Sequence, residues 1–120
     1  MNQLLKQFLQ EARENLNFID QNLERLETAN DELINAIFRA AHTLKGDSGI
    51  VGFLAIQEIT HNAEDLLDQY RDKKIEFRPE MIDTLYNAFD EVMNLVEAAE
   101  IQGDIVQADE EKVKNIIKSL

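Results

Sequence analysis

The chain contains no cysteine. Disulfides and thiolate metal centres are therefore out of reach, and the usage agrees with a reducing compartment. Tryptophan is also absent, and proline occurs once, at Pro79. So little proline leaves long stretches free to run as uninterrupted helix. Nowhere do about 18 apolar residues follow one another, so no membrane-spanning helix is expected. The N-terminal MNQLLKQFLQEARENL lacks the basic-then-apolar layout of a secretion signal, and the expectation is a cytoplasmic chain. Basic residues are scarce too: 12 Lys and Arg stand against 24 Asp and Glu, a formal charge of −12. That field repels nucleic acid and anionic membrane, which removes both as expected partners.

What is present is helical periodicity. Of the 120 residues, 44% are hydrophobic, enough for one core and not two. Apolar residues recur three and four apart at Leu5, Phe8, Leu9, Ala12, Leu16, Ile19, Leu23 and Leu26, which predicts one long amphipathic helix over roughly residues 2–27. Cap-forming residues between Thr28 and Asp31 start a second helix over 31–52. A third follows over 55–73 with Ile56, Ile59, Ala63, Leu66 and Leu67. Pro79, tolerated in a first turn, opens a fourth over 79–100. Gly103 closes it, and Asp109 caps a short fifth over 109–119. No β-rich stretch competes. The expected fold is all-α: an antiparallel up-and-down four-helix bundle with an additional short C-terminal helix, residues 1–120 forming a single domain. Each apolar stripe is needed for that one core, so a monomer is expected.

Only four glycines occur, and three of them, Gly46, Gly49 and Gly52, fall at three-residue spacing just after His42 in AAHTLKGDSGIVGF. A glycine inside a helix costs about 1 kcal/mol relative to alanine, so the bare backbone has a use. At about 100° per residue, Leu33, Ile37, Ala41, Leu44, Ser48 and Val51 share one direction, and His42 falls about 140° away from it. The histidine therefore faces outward, with Phe38, Gly46 and Gly49 beside it. The glycines leave a clearing through which another protein could approach the ring, while packing accounts better for Gly49 and Gly52 than for Gly46. Arg39 and Lys45, three residues to either side of His42, are placed to hold the oxygens of a phosphoryl group on the imidazole.

In THNAEDLLD, residues 60–68, His61 and Glu64 lie three apart, off the apolar stripe of the third helix. If the second and third helices are antiparallel neighbours, either could reach His42 and accept the proton of one ring nitrogen. The other nitrogen would then be a neutral nucleophile.

The strings IFRAAHTLKGDSGIVGF and ITHNAEDLLD, at this spacing, resemble the histidine phosphotransfer (HPt) family, and within it the phosphotransfer domains of chemotaxis histidine kinases. The resemblance spans essentially the whole chain. It implies that His42 accepts a phosphoryl group from a histidine-kinase ATP-binding domain and passes it to an aspartate on a response-regulator receiver domain. It assigns Glu64 to orienting His42, Lys45 to the neighbourhood of the phosphate and His61 to the same network. Phe38, Arg39, Gly46 and Gly49 fall on the side where partners dock. Asp47, in GDSG, departs from the small or amide residue common in the family.

A glycine-rich nucleotide loop, an asparagine-rich lid motif and a dimerisation helix pair are all missing. The expectation is a phospho-acceptor that binds no cofactor itself, ATP and Mg being held by the partner kinase domain. Being cut from a larger protein-histidine kinase is favoured over standing alone. Two other readings exist: an adaptor bundle in which His42 is incidental, and a metal-binding bundle using His42, His61, Glu64 and Asp68. The second is weakened because carboxylate-bridged sites in bundles use inward-pointing ligands from several helices.

Overall fold

Asparagine and aspartate side chains start three of the five helices. The Asn2 side chain accepts from the Leu5 amide, Asn30 from that of Leu33, and Asp109 from those of Glu111 and Lys112, which satisfies donors that have no partner inside the helix. In the computed structural model, which describes residues 1–120, the helices are α1 Gln3–Asn22, α2 Asp31–Val51, α3 Leu54–Arg71, α4 Pro79–Gln102 and α5 Glu110–Ser119. No strand forms.

The expected first helix is in fact two pieces. Its α-helical part ends at Asn22, and Leu23–Thr28 continue as a 3₁₀ turn. Leu23 and Leu26 are fully buried and extend the apolar stripe, so the hydrophobic pattern alone does not reveal the tighter winding. The Tyr70 hydroxyl donates to the Leu26 carbonyl at 2.9 Å and ties this segment to the end of α3. Pro79 takes the first position of α4, as expected. Gly52 and Gly103 end α2 and α4 with φ of 80° and 78°, a left-handed conformation that side chains disfavour. Gly52 is thus a helix stop and not a packing residue, a correction to its sequence reading.

Packing follows chain order. α1 lies against α2 and α4, α2 against α3, and α3 against α4, while α5 covers the open side between α3 and α4. The result measures 42 × 29 × 20 Å. Phe53, Ile56, Ile59, Ala63 and Leu67 of the α3 region meet Ile37, Ala41 and Leu44 of α2 in one continuous core. Two polar features anchor the outer elements. Arg13 of α1 pairs with Glu100 of α4, and Lys112 of α5 reaches the buried Glu91 of α4 at 3.0 Å. No helix is long and apolar enough to cross a membrane.

Candidate functional site

α2 and α3 run antiparallel from the tight Gly52–Phe53 corner, so residues at equal distance from that corner face one another. Gly49 meets Gln57 and His42 meets Glu64, while Phe38 is met by Arg71, whose long side chain reaches it from one turn beyond its register partner Asp68. The site is built on this register.

His42 stands on the outward face of α2 with 61% of its side chain exposed. Its Nδ1 lies 3.2 Å from Glu64 Oε1. Glu64 is buried, its side chain only 10% exposed, and Oε2 takes no hydrogen bond. The compensation is the Lys45 ammonium, 2.9 Å from Oε2 and outside hydrogen-bond geometry. Glu64 is therefore clamped between the ring it faces and a cation one turn further along α2. A buried carboxylate needs such a partner to stay ionised. Being ionised it only accepts, so the proton of a neutral His42 sits on Nδ1 and the lone pair on Nε2 points to solvent.

Lys45 is thus committed to Glu64. Its expected place beside the histidine holds, but the ammonium meets the orienting carboxylate. Arg39 is exposed one turn before His42. Phe38 stacks against His42, ring centroids 6.0 Å apart and planes 14° apart.

Gly46 is exposed, and a Cβ there would meet nothing within 4 Å. The clearing predicted one turn beyond His42 exists. Gly49 does not contribute to it. The Gln57 side chain lies over Gly49, its amide nitrogen 2.5 Å from where a Cβ would stand, so Gly49 serves the α2–α3 contact. His61 corrects a second expectation. It is exposed and its Nε2 lies 3.6 Å from Asp65 Oδ2 on its own helix, while the contact to His42 is made by Glu64 alone. No group of three or more His, Asp or Glu side chains stands close enough to hold a metal ion.

Sequence reasoning passed over Arg71. Its guanidinium carbon lies 3.8 Å from the Phe38 ring centroid, and Nη2 reaches Asp68 at 2.6 Å. Arg71 opens RDKKIEFR, where the apolar pattern fades, and it reaches Phe38 from one turn beyond the register partner, so no spacing in the sequence pointed to it.

Fold and site together define a helical bundle whose single feature of chemical promise is an oriented, solvent-facing imidazole. The chain belongs to the Hpt domain family, whose profile matches residues 3–110. It is 32% identical over 118 residues to the chemotaxis protein CheA of Borreliella burgdorferi, covering 97% of this chain and 14% of that protein. It therefore spans about one-seventh of that relative's length. The CheA phosphotransferase domain from Thermotoga maritima superposes with a TM-score of 0.74 at 31% identity, over 82% of this chain and 97% of that one. The phosphorylated P1 domain of CheA3 from R. sphaeroides, solved in complex with CheY6, shares the fold with a TM-score of 0.84 at 23% identity, over 99% of this chain and 95% of that one.

Proposed function

We propose that this chain is the phosphoryl-carrier module of a chemotaxis-type two-component system. His42 takes a phosphoryl group from a histidine-kinase ATP-binding domain and gives it to an aspartate of a response-regulator receiver domain. The observation that carries the proposal is the pairing of His42 Nδ1 with the buried Glu64 carboxylate. The Nε2 lone pair attacks the γ-phosphorus of ATP, which the partner domain holds with Mg. The bond from that phosphorus to the bridging oxygen breaks, and ADP departs with the electron pair. The imidazole then carries positive charge, stabilised by Glu64 on Nδ1–H, the role a buried carboxylate plays in other histidine-centred sites. In the second transfer an aspartate oxygen attacks the phosphorus, the P–N bond breaks, and its electron pair returns to Nε2.

Lys45 sits on the second oxygen of Glu64 and holds that carboxylate in its direction toward His42. Arg39 is the exposed cation available to phosphoryl oxygens, and Gly46 leaves room for the partner's backbone. His61 contributes to the surface charge it shares with Asp65. The fold supports a receiver as the second partner, since CheA3 P1, of the same architecture, is known in complex with CheY6.

The test is to incubate the domain with a histidine-kinase ATP-binding domain and labelled ATP beside the His42→Gln variant. Acid-labile, alkali-stable label on the parent and none on the folded variant is the expected result. Label retained on His42→Gln moves the site elsewhere, and none on either, with a kinase active on another acceptor, leaves an adaptor bundle.

A further inference from the structure

One hydrogen bond donated to Glu64 fixes a nitrogen of His42 but leaves the ring free to rotate about that contact. Phe38, one turn earlier on α2, supplies a second constraint through its stacked ring. Phe38 is only half-buried, and a surface aromatic does not hold its own rotamer without a neighbour. The neighbour is Arg71 from the last turn of α3, lying over the ring at 3.8 Å. Arg71 is in turn tethered by Asp68, one turn back on α3. Its Nε also faces Asp72 at 3.7 Å. Tether, cation, aromatic ring and imidazole thus form one line crossing from α3 to α2.

We propose that Arg71 is a positioning residue for His42, acting through Phe38. The cation, attracted to the negative face of the Phe38 ring, holds that ring against the imidazole, so that Nε2 keeps one direction of presentation. The kinetic consequence rests on the phosphoryl-carrier reading, whereas the effect on the ring rests on geometry alone. An exposed cation–π contact is worth a factor of a few, so the expected loss is modest and confined to the chemical step.

The test uses the 120-residue chain as Arg71→Ala, Asp68→Asn and Phe38→Leu beside the parent. Asp68→Asn keeps the cation and removes only its carboxylate tether, so it separates positioning from docking charge. Two quantities are read: the NMR signals of the His42 ring protons, and kcat and KM for phosphorylation by a kinase ATP-binding domain. Arg71→Ala and Asp68→Asn should both move the His42 signals toward their position in Phe38→Leu. They should lower kcat roughly two- to fivefold with little change in KM. His42 signals unmoved in Arg71→Ala would overturn the proposal. So would a loss confined to KM with Asp68→Asn unaffected, since Arg71 would then be a docking cation. Should Arg71→Ala fail to fold, Asp68→Asn carries the same comparison. Absence of label on the parent would sink the carrier reading instead, and the NMR arm would still decide whether Arg71 positions the ring.

Discussion

Glu64 and Lys45 face each other across the α2–α3 contact, the carboxylate buried and the ammonium 2.9 Å from its Oε2. The lysine one turn beyond His42 therefore pairs with the carboxylate that contacts the His42 ring. Removing Glu64 has two effects at once. Glu64→Ala takes away the acceptor that selects the Nδ1–H tautomer and leaves the Lys45 ammonium unpaired. A hydrogen bond to a charged group contributes about 1.5–3 kcal/mol, so phosphorylation of His42 should slow about 10- to 100-fold without being abolished. Rate of label uptake checks it, with the ring ¹⁵N shifts reporting the tautomer. An unchanged rate would remove Glu64 from the chemistry.

Gly46 offers a separation of stability from function. A methyl group there meets nothing within 4 Å and the residue is helical, so Gly46→Ala should stabilise the fold by about 0.8–1 kcal/mol, raising Tm by roughly 4 °C. Transfer to and from partners should nevertheless become slower, because the methyl intrudes where their backbone approaches. Thermal denaturation and transfer kinetics on the same sample decide it. A more stable variant with undiminished transfer would show that the clearing is not used.

Asp47 gives a pH signature. Partial burial raises its pKa above 3.8, and Glu11 across the α1–α2 contact adds to the shift. The folded state thus binds the proton more tightly than the unfolded state does, and folding carries a penalty once Asp47 ionises. The penalty is absent below the unfolded value near 3.8 and complete above the raised folded value. Asp47→Asn should therefore be more stable than the parent at pH 7, with the gain shrinking to nothing as pH falls through the carboxylate range. Denaturant titrations at pH 7 and pH 3 check the sign. An equal gain at both would assign it to something other than ionisation.

Lys112 holds α5 onto the bundle through Glu91, which is buried while the lysine is half exposed. Lys112→Ala leaves that carboxylate without its cation. The lysine's contact with solvent reduces the cost from that of a fully buried pair to about 1 kcal/mol. Amides of α5 should exchange with solvent faster while those of α2 and α3 keep their protection. Uniform acceleration across the bundle would mean that α5 does not open by itself.

Much of this arrangement was legible in the amino-acid order, because period and caps are local. Leu33, Ile37, Ala41 and Leu44 point one way, so His42 has to point the other. The (i, i+4) spacing brings Phe38 beside His42, and the antiparallel expectation brings Glu64 to it. What was not legible depended on contacts between helices. Gly49 and Gly46 look alike on a helical projection, and only the Gln57 side chain from α3 tells them apart. His61 and Glu64 share a strip, yet a small rotation of α3 gives one to solvent and the other to the ring. The 3₁₀ turn after Asn22 keeps Leu23 and Leu26 inward, so the pattern continues where the winding changes.

His42 stands on a convex helix face. The five main clefts, lined by Phe53 and Val113, by Glu91 and Lys112, by Leu4 and Val51, by Leu66 and Leu120, and by Tyr70 and Phe77, leave it out. A reactive group with no enclosure of its own is half of an active site. The bundle brings a nucleophile and the charges that tune it, and each partner must bring the concavity that shuts out water. Under the phosphoryl-carrier proposal, the loaded histidine stands in bulk solvent between encounters, its lifetime set by the hydrolysis of a phosphorus–nitrogen bond rather than by the fold. How fast a message passes, and to whom, is then decided by whichever surface next closes over the ring.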